Sequence, residues 1–390
     1  MATGLIVLIY AVVIISIILI HEAGHFVTAK QFGIKVEEFF VGFGPRLWSF
    51  RRGETEYGVK LIPAGGYVRI AGMNPFEEVT PEEYPRTFGA KPIWQRAVVI
   101  AAGPVTHFVI ALLLLVVYFL ALGSPKYQPE IGRVCSLQPT SQTDCALGPP
   151  SPAQRVGLRP GDRIVAFDGR QVPPSGDPER WVDYVVNYTR GHVGEPITLK
   201  VIREGRVLTI TATPELAKVG DQQVGRLGVT LGAGVAGRHR YGPIAAVKEA
   251  GLKFGQFVGQ TVNGLRKVFG PSGLARIYRE LVGSQARGGR GDVLSVVGGG
   301  RIAVEAVRVE AWDALFLLAV GFNIFIGILN LIPLPPLDGG HLAVLLYEKV
   351  RRRKPDVRKL VPLTALVAGF MILFGLAITF IDIIHPFPLR

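Results

Sequence analysis

The run Gly4–Ala29, GLIVLIYAVVIISIILIHEAGHFVTA, constrains this chain more than any other stretch. No charged residue occurs from Gly4 to Ile20, and with the HEAGH pentapeptide the run reaches the roughly 20 residues that an α-helix needs to cross about 30 Å of hydrocarbon. A membrane span with a His-Glu-x-x-His pattern at one end is therefore expected. His21 and His25 are four positions apart, so on a helix both imidazoles leave the same face one turn apart and can share one metal ion. Glu22 is their neighbour; in zinc hydrolases with this pattern the middle glutamate stays off the metal and takes a proton from the attacking water. The plain alternative is a chance His-x-x-x-His at an interfacial helix end, but polar clusters near hydrocarbon are costly and are kept mainly for function. Gly24, between the histidines, suits close approach by another helix.

With 390 residues of which 49% are hydrophobic, the chain is too apolar for an ordinary soluble protein and too long for one domain. A polytopic α-helical membrane protein with about four transmembrane helices is expected. The net charge of +13 does not point to nucleic acid, because no nucleic-acid module is recognisable and lysine and arginine gather beside the apolar runs. Anionic membrane lipids and topology explain that distribution. The first run has neither a basic leader before it nor an Ala-x-Ala exit after it, so it is expected to stay in the mature protein.

Taken in order, residues 1–30 form the first transmembrane helix with HEAGH, and 31–96 a membrane-associated β region on the cytoplasmic side. Strands are expected at Val36–Phe40 and Glu56–Ile62, before a tight turn at Pro63, Ala64, Gly65, Gly66 and Tyr67. An ordinary cytoplasmic loop fits the same composition. Residues 97–122 read as a second span containing Gly103, Pro104 and His107, 312–340 as a third carrying LDGG, and 360–390 as a fourth with the C-terminus. Residues 341–359 form a basic loop, cytoplasmic by the positive-inside rule, which puts both termini and the long segment 123–311 outside. Within that segment, Ala153–Gly169 (AQRVGLRPGDRIVAFDG) resembles a PDZ domain of bacterial type, and strands at Ile197–Arg203 and Val207–Thr213 would complete it over 123–216. Such a domain binds peptides at a sheet edge or acts only as a spacer or steric filter. Cys135 and Cys145 both fall there, as a disulfide if the compartment is oxidising or as free thiols. Residues 217–311 read as a strand and amphipathic helices, with Gly288–Arg290 and Gly298–Gly300 as flexible turns.

An open catalytic zinc site uses three protein ligands, and HEAGH supplies two. Asn330–Gly340 (NLIPLPPLDGG) supplies a candidate third, Asp338, at the same membrane face by the topology above. Its prolines stop a helix and Gly339 and Gly340 permit a tight approach. Glu348, the next acid downstream, is expected to lie towards the basic loop and to matter little for zinc retention or activity.

Together these motifs resemble the site-2 protease family of intramembrane zinc metalloproteases, in the single-PDZ branch of bacterial envelope-stress regulators, over essentially the whole chain. The resemblance implies zinc held by His21, His25 and Asp338, with Glu22 as general base. It implies substrate contacts for Asn330, for Asn323 one or two helical turns earlier, and for Gly66 in the β region. The family tends to carry Gly-Pro-x-x-Asn in its second span, where this chain has Gly103-Pro104-Val105-Thr106-His107. The implied substrate is a single-span membrane protein already shortened by another protease, an anti-sigma factor or a remnant signal peptide, cut in regulated intramembrane proteolysis. The implied location is the bacterial cytoplasmic membrane, with the PDZ-like domain extracytoplasmic and the active site near the cytoplasmic side. The alternative is a PDZ-bearing membrane scaffold with structural zinc that cleaves nothing.

Overall fold

A computed structural model describes residues 3–74, 77–137, 149–177, 179–219, 222–282, 295–353 and 356–384. Two compact units emerge, Met1–Tyr118 with Ile244–Arg390, and Phe119–Pro243.

The first unit begins with α1 (Thr3–Gln31), the strands β1 (Val36–Arg52) and β2 (Thr55–Ile70), and α2 (Ile93–Ala121). Helix α1 is apolar nearly all round, so most of its first half is exposed, as a lipid-facing helix must be. Its buried residues Ile17, His21, His25 and Ala29 recur every four positions and make one inward stripe. The β region is more folded on itself than the expected short strands. Phe39, Phe40 and Val41 are flanked on one side by Val68, Tyr67 and Gly66 and on the other by Tyr57, Gly58 and Val59. Gly42 and Gly44, at φ of 85° and 86°, provide the left-handed backbone where β1 bends. Ala29, Ile34, Val36, Ile70, Phe88, Val99, Ile100 and Leu345 form one apolar cluster that fastens this sheet to the helices.

The second unit contains β3 (Ser124–Val134), α3 (Pro152–Arg155), β4 (Arg163–Phe167), β5 (Arg170–Gln171) and α4 (Arg180–Gly191). It continues with β6 (Ile197–Arg203), β7 (Arg206–Ala212), β8 (Glu215–Val219), β9 (Gln222–Arg226) and β10 (Val229–His239). The main sheet runs β10-β3-β4-β6-β7. Its core gathers Ile131, Leu158, Ile164, Phe167, Val185 and Leu199. Helix α3 is closed by a capping box between Ser151 and Gln154. The expected boundary at residue 216 is corrected: β10 pairs with β3 along Val229–His239, so the unit extends to Pro243. Pairing between strands so distant in sequence leaves no local signal. A cavity of about 130 Å³ lies between α4 and the strands, lined by Val185, Thr189, Leu227 and Val229. Cys135 is buried and is not a free thiol, while Cys145 lies outside the described residues.

The chain returns to the first unit through α5 (Pro243–Val268), α6 (Pro271–Leu281), α7 (Val296–Arg308), α8 (Trp312–Asn330), α9 (Asp338–Arg351) and α10 (Val361–Ile384). Among the described residues, four helices are long and apolar enough to span a membrane: α1, α2, α8, and the segment Arg358–Ile384 that contains α10. Two expectations change here. Gly298–Gly300 are not turns but lie within α7, where the absence of side chains admits Tyr10 and the Asp382 carboxylate at close range. Gly288–Arg290 lie outside the described residues. The LDGG motif does not end the third span but starts a separate helix, and much of the expected loop 341–359 is α9. Its Leu342 and Leu345 pack on the apolar cluster, which stabilises as helix a segment whose charges suggested a loop.

Candidate metal centre

The inward stripe of α1 sets His21 and His25 one above the other, both buried. Helix α2 meets that stripe through glycines. A Cβ on Gly24 would lie 2.7 Å from the Ala102 carbonyl oxygen, and one on Gly103 would collide with His25 Nε2 while standing 2.8 Å from His21 Cε1. The third group comes from the broken end of the α8 span. Pro333, Pro335 and Pro336 prevent the helix from continuing, and α9 restarts at Asp338, where an acid suits the positive end of a helix dipole. Gly339 and Gly340 are required by crowding: a Cβ on either would strike the backbone of the Leu331–Pro335 turn.

The outcome is a compact triad. His21 Nε2 lies 3.2 Å and His25 Nε2 3.5 Å from Asp338 Oδ2, and the two imidazole Nε2 atoms are 3.2 Å apart. Among the described residues this is the group of histidine, cysteine and acid side chains that could hold a metal ion. Its geometry can be tested against zinc. Ligands at about 2.0–2.2 Å in a tetrahedral shell stand roughly 3.3–3.5 Å from one another, close to the three separations found. The chemistry agrees. His25 Nδ1 is 2.8 Å from the Val99 carbonyl and must donate to it, which leaves Nε2 as a lone pair. His21 Nδ1 is likewise engaged, 3.1 Å from His107 Nε2. Lone pairs and a carboxylate oxygen converging on one point repel unless a cation lies between them.

Glu22 stands half-buried beside the triad, facing the β region, where a Cβ on Gly66 would lie 3.3 Å from Glu22 Cγ. Asn330 is half-buried at the last residue of α8. Asn323 is fully buried and has partners other than the substrate contact expected of it: His107 at 3.2 Å and the Ala319 carbonyl at 2.9 Å.

A match to Peptidase family M50 covers residues 9–376. The chain belongs to that family. It is 32% identical to Zinc metalloprotease Rip1 of Mycolicibacterium smegmatis, across 99% of both chains. Identity is 31% to Rip1 of Mycobacterium tuberculosis across 98% of both, and 26% to RasP of Geobacillus kaustophilus across 96% of both. The protein is therefore a multi-pass membrane zinc metalloprotease, and the triad is consistent with a zinc site.

Sequence reasoning missed two supports of this protease's centre. The first is the Val99 carbonyl of α2, which accepts the Nδ1–H of His25, and no local pattern in the sequence singles it out. The second involves Glu348. Arg96, 7% exposed, donates to it in bidentate fashion at 2.8 and 2.9 Å, tying the start of α2 to α9. Nothing local in the sequence marks a pair so far apart.

Proposed function

We propose that this protease hydrolyses a peptide bond within or near the transmembrane segment of a single-span membrane protein, with zinc held by His21, His25 and Asp338 and Glu22 as general base. The observation that carries the reading is the convergence of three ligand atoms, at the separations zinc requires, on helices that span the membrane, with a glutamate alongside. Zinc bound there would polarise the scissile carbonyl and acidify water. Glu22 takes the proton of the attacking water and delivers it to the departing amine. Its half-buried place beside the β region limits its access to bulk water and keeps it oriented.

A helical substrate hides its carbonyls, so the bond must be exposed by local unwinding. The outer edge of β2 at Gly66, unpaired by any other described strand and next to Glu22, suits an extended segment, since strand addition satisfies the backbone groups that unwinding frees. Asn330, at the end of α8, would meet the same segment. The β domain would act as the PDZ-like module that admits substrates already trimmed by another protease, anti-sigma factors or remnant signal peptides. Basic residues Lys349, Arg351, Arg352 and Arg353 at the end of α9 support a cytoplasmic location for that end and an extracytoplasmic β domain.

The test is Glu22→Gln in the full-length protease, assayed on a single-span peptide in liposomes with zinc content measured in parallel. Cleavage should fall at least about 10²- to 10⁴-fold while zinc is retained. Cleavage near the parent rate would refute the base assignment.

A further inference from the structure

Behind the metal-facing nitrogens runs a buried hydrogen-bonded chain. It passes from His21 Nδ1 to His107 Nε2 at 3.1 Å, from His107 Nδ1 to Asn323 Oδ1 at 3.2 Å, and from Asn323 Nδ2 to the Ala319 carbonyl at 2.9 Å. Its far end fixes its direction. A backbone carbonyl can only accept, so the Asn323 amide turns its NH₂ towards Ala319 and its oxygen towards His107. That oxygen also can only accept, so the His107 proton sits on Nδ1 and its Nε2 is a lone pair. The lone pair takes the Nδ1–H of His21, which leaves His21 Nε2 free to face His25 Nε2 and Asp338 Oδ2.

We propose that His107 and Asn323 are positioning residues that set the tautomer and ring orientation of His21 as a zinc ligand. The proposal rests on the ligand set given above. Running the chain the other way would put a proton on His21 Nε2, where it would exclude the metal, and would set the Asn323 oxygen against the Ala319 oxygen. Both positioning residues are 0% exposed, so no bulk water competes for these bonds. The helix packing is arranged around them. A Cβ on Gly327, one turn after Asn323, would lie 3.3 Å from His107 Cβ and 2.8 Å from Phe108, so α8 reaches α2 at this level because residue 327 has no side chain. Gly24 does the same for α1 against α2. A histidine suits the middle of the chain because its two ring nitrogens project in different directions and can bridge neighbours on two helices. Partners of this kind behind metal-bound histidines raise metal affinity by about 10- to 100-fold.

The test compares zinc affinity, by competition with a chromogenic chelator, across full-length parent, His107→Leu, His107→Gln, Asn323→Leu and Asp338→Asn proteins in detergent. His107→Leu should bind zinc about 10- to 100-fold more weakly. His107→Gln should stay close to the parent, since its amide oxygen can accept the same N–H. Asn323→Leu should weaken binding as well, because the direction of the chain is no longer fixed. Binding by His107→Leu within about twofold of the parent, with zinc lost from Asp338→Asn, would overturn the proposal; equal losses in the Leu and Gln variants would do so too, since shape rather than an acceptor would then matter. Zinc retained by Asp338→Asn would instead overturn the ligand set. If His107→Leu does not fold, nitrogen-15 spectra of the zinc-loaded, histidine-labelled parent decide: His21 must carry its proton on Nδ1, and a bare Nδ1 refutes the relay.

Discussion

Replacing Gly103 with alanine adds one methyl group at the place where α2 touches both imidazoles. The new carbon would collide with His25 Nε2 and lie 2.6 Å from His25 Cε1 and 2.8 Å from His21 Cε1, whereas ordinary contact begins at 3.4 Å. The nearer ring must therefore withdraw by roughly 0.8 Å or more, or α2 must move away by as much. Metal–ligand distances tolerate deviations of only about 0.2 Å, so a shift of that size breaks the bond to His25 or opens the triad. The zinc ligands and the space before Glu22 are displaced together, and a 1 Å misplacement alone costs on the order of 10²-fold in rate. The expected outcome for Gly103→Ala is zinc content well below one per chain at micromolar free zinc, with cleavage down at least about 10²-fold. Atomic absorption on the purified full-length protein gives the first quantity and cleavage of a single-span peptide the second. Gly369→Ala in α10, where a Cβ meets nothing within 4 Å, is the control and should behave as the parent does. A Gly103→Ala protein with stoichiometric zinc and parental cleavage would refute the reasoning, because the triad would then not depend on that approach.

Three more outcomes follow from particular contacts. Asp338→Asn should lose zinc and activity together, unlike Glu22→Gln, and metal analysis beside the cleavage assay separates the two. Glu348→Gln removes the charge that pairs with buried Arg96 and should destabilise the fold by about 3 kcal/mol, seen as a lower thermal midpoint with zinc per folded molecule unchanged. In the β domain, burial alone would raise the Asp162 carboxyl, but hydrogen bonds from Arg203 and the Arg159 backbone N–H outweigh it and hold the group below the usual carboxylate range. A folded value below the unfolded one means that this stabilisation is complete above about pH 4 and is lost as pH falls through the folded value. Protection from hydrogen exchange in β4 and β6, measured relative to the rate of the unfolded chain at the same pH, should accordingly fall below about pH 4 in the parent. Asp162→Asn should exchange faster at neutral pH and show less acid dependence.

The sequence by itself determined what depends on local pattern. The apolar runs announced the spans because no other short-range pattern fits about 30 Å of hydrocarbon. The spacing of His21 and His25 placed both rings on one helix face because helical periodicity is a local property. The prolines and glycines around Asp338 marked a break because their backbone limits are intrinsic to those residues. Only the tertiary structure decided what depends on residues distant in the chain. It set β10 beside β3, which moved the edge of the β domain, and it made a helix of Asp338–Arg351 by packing Leu345 against an apolar cluster. It joined Arg96 to Glu348 and ran a buried chain from His21 through His107 to Asn323. Each such partnership needs two elements to meet at one depth and rotation, which depends on how all the helices pack together, so neither residue of a pair carries the signal alone.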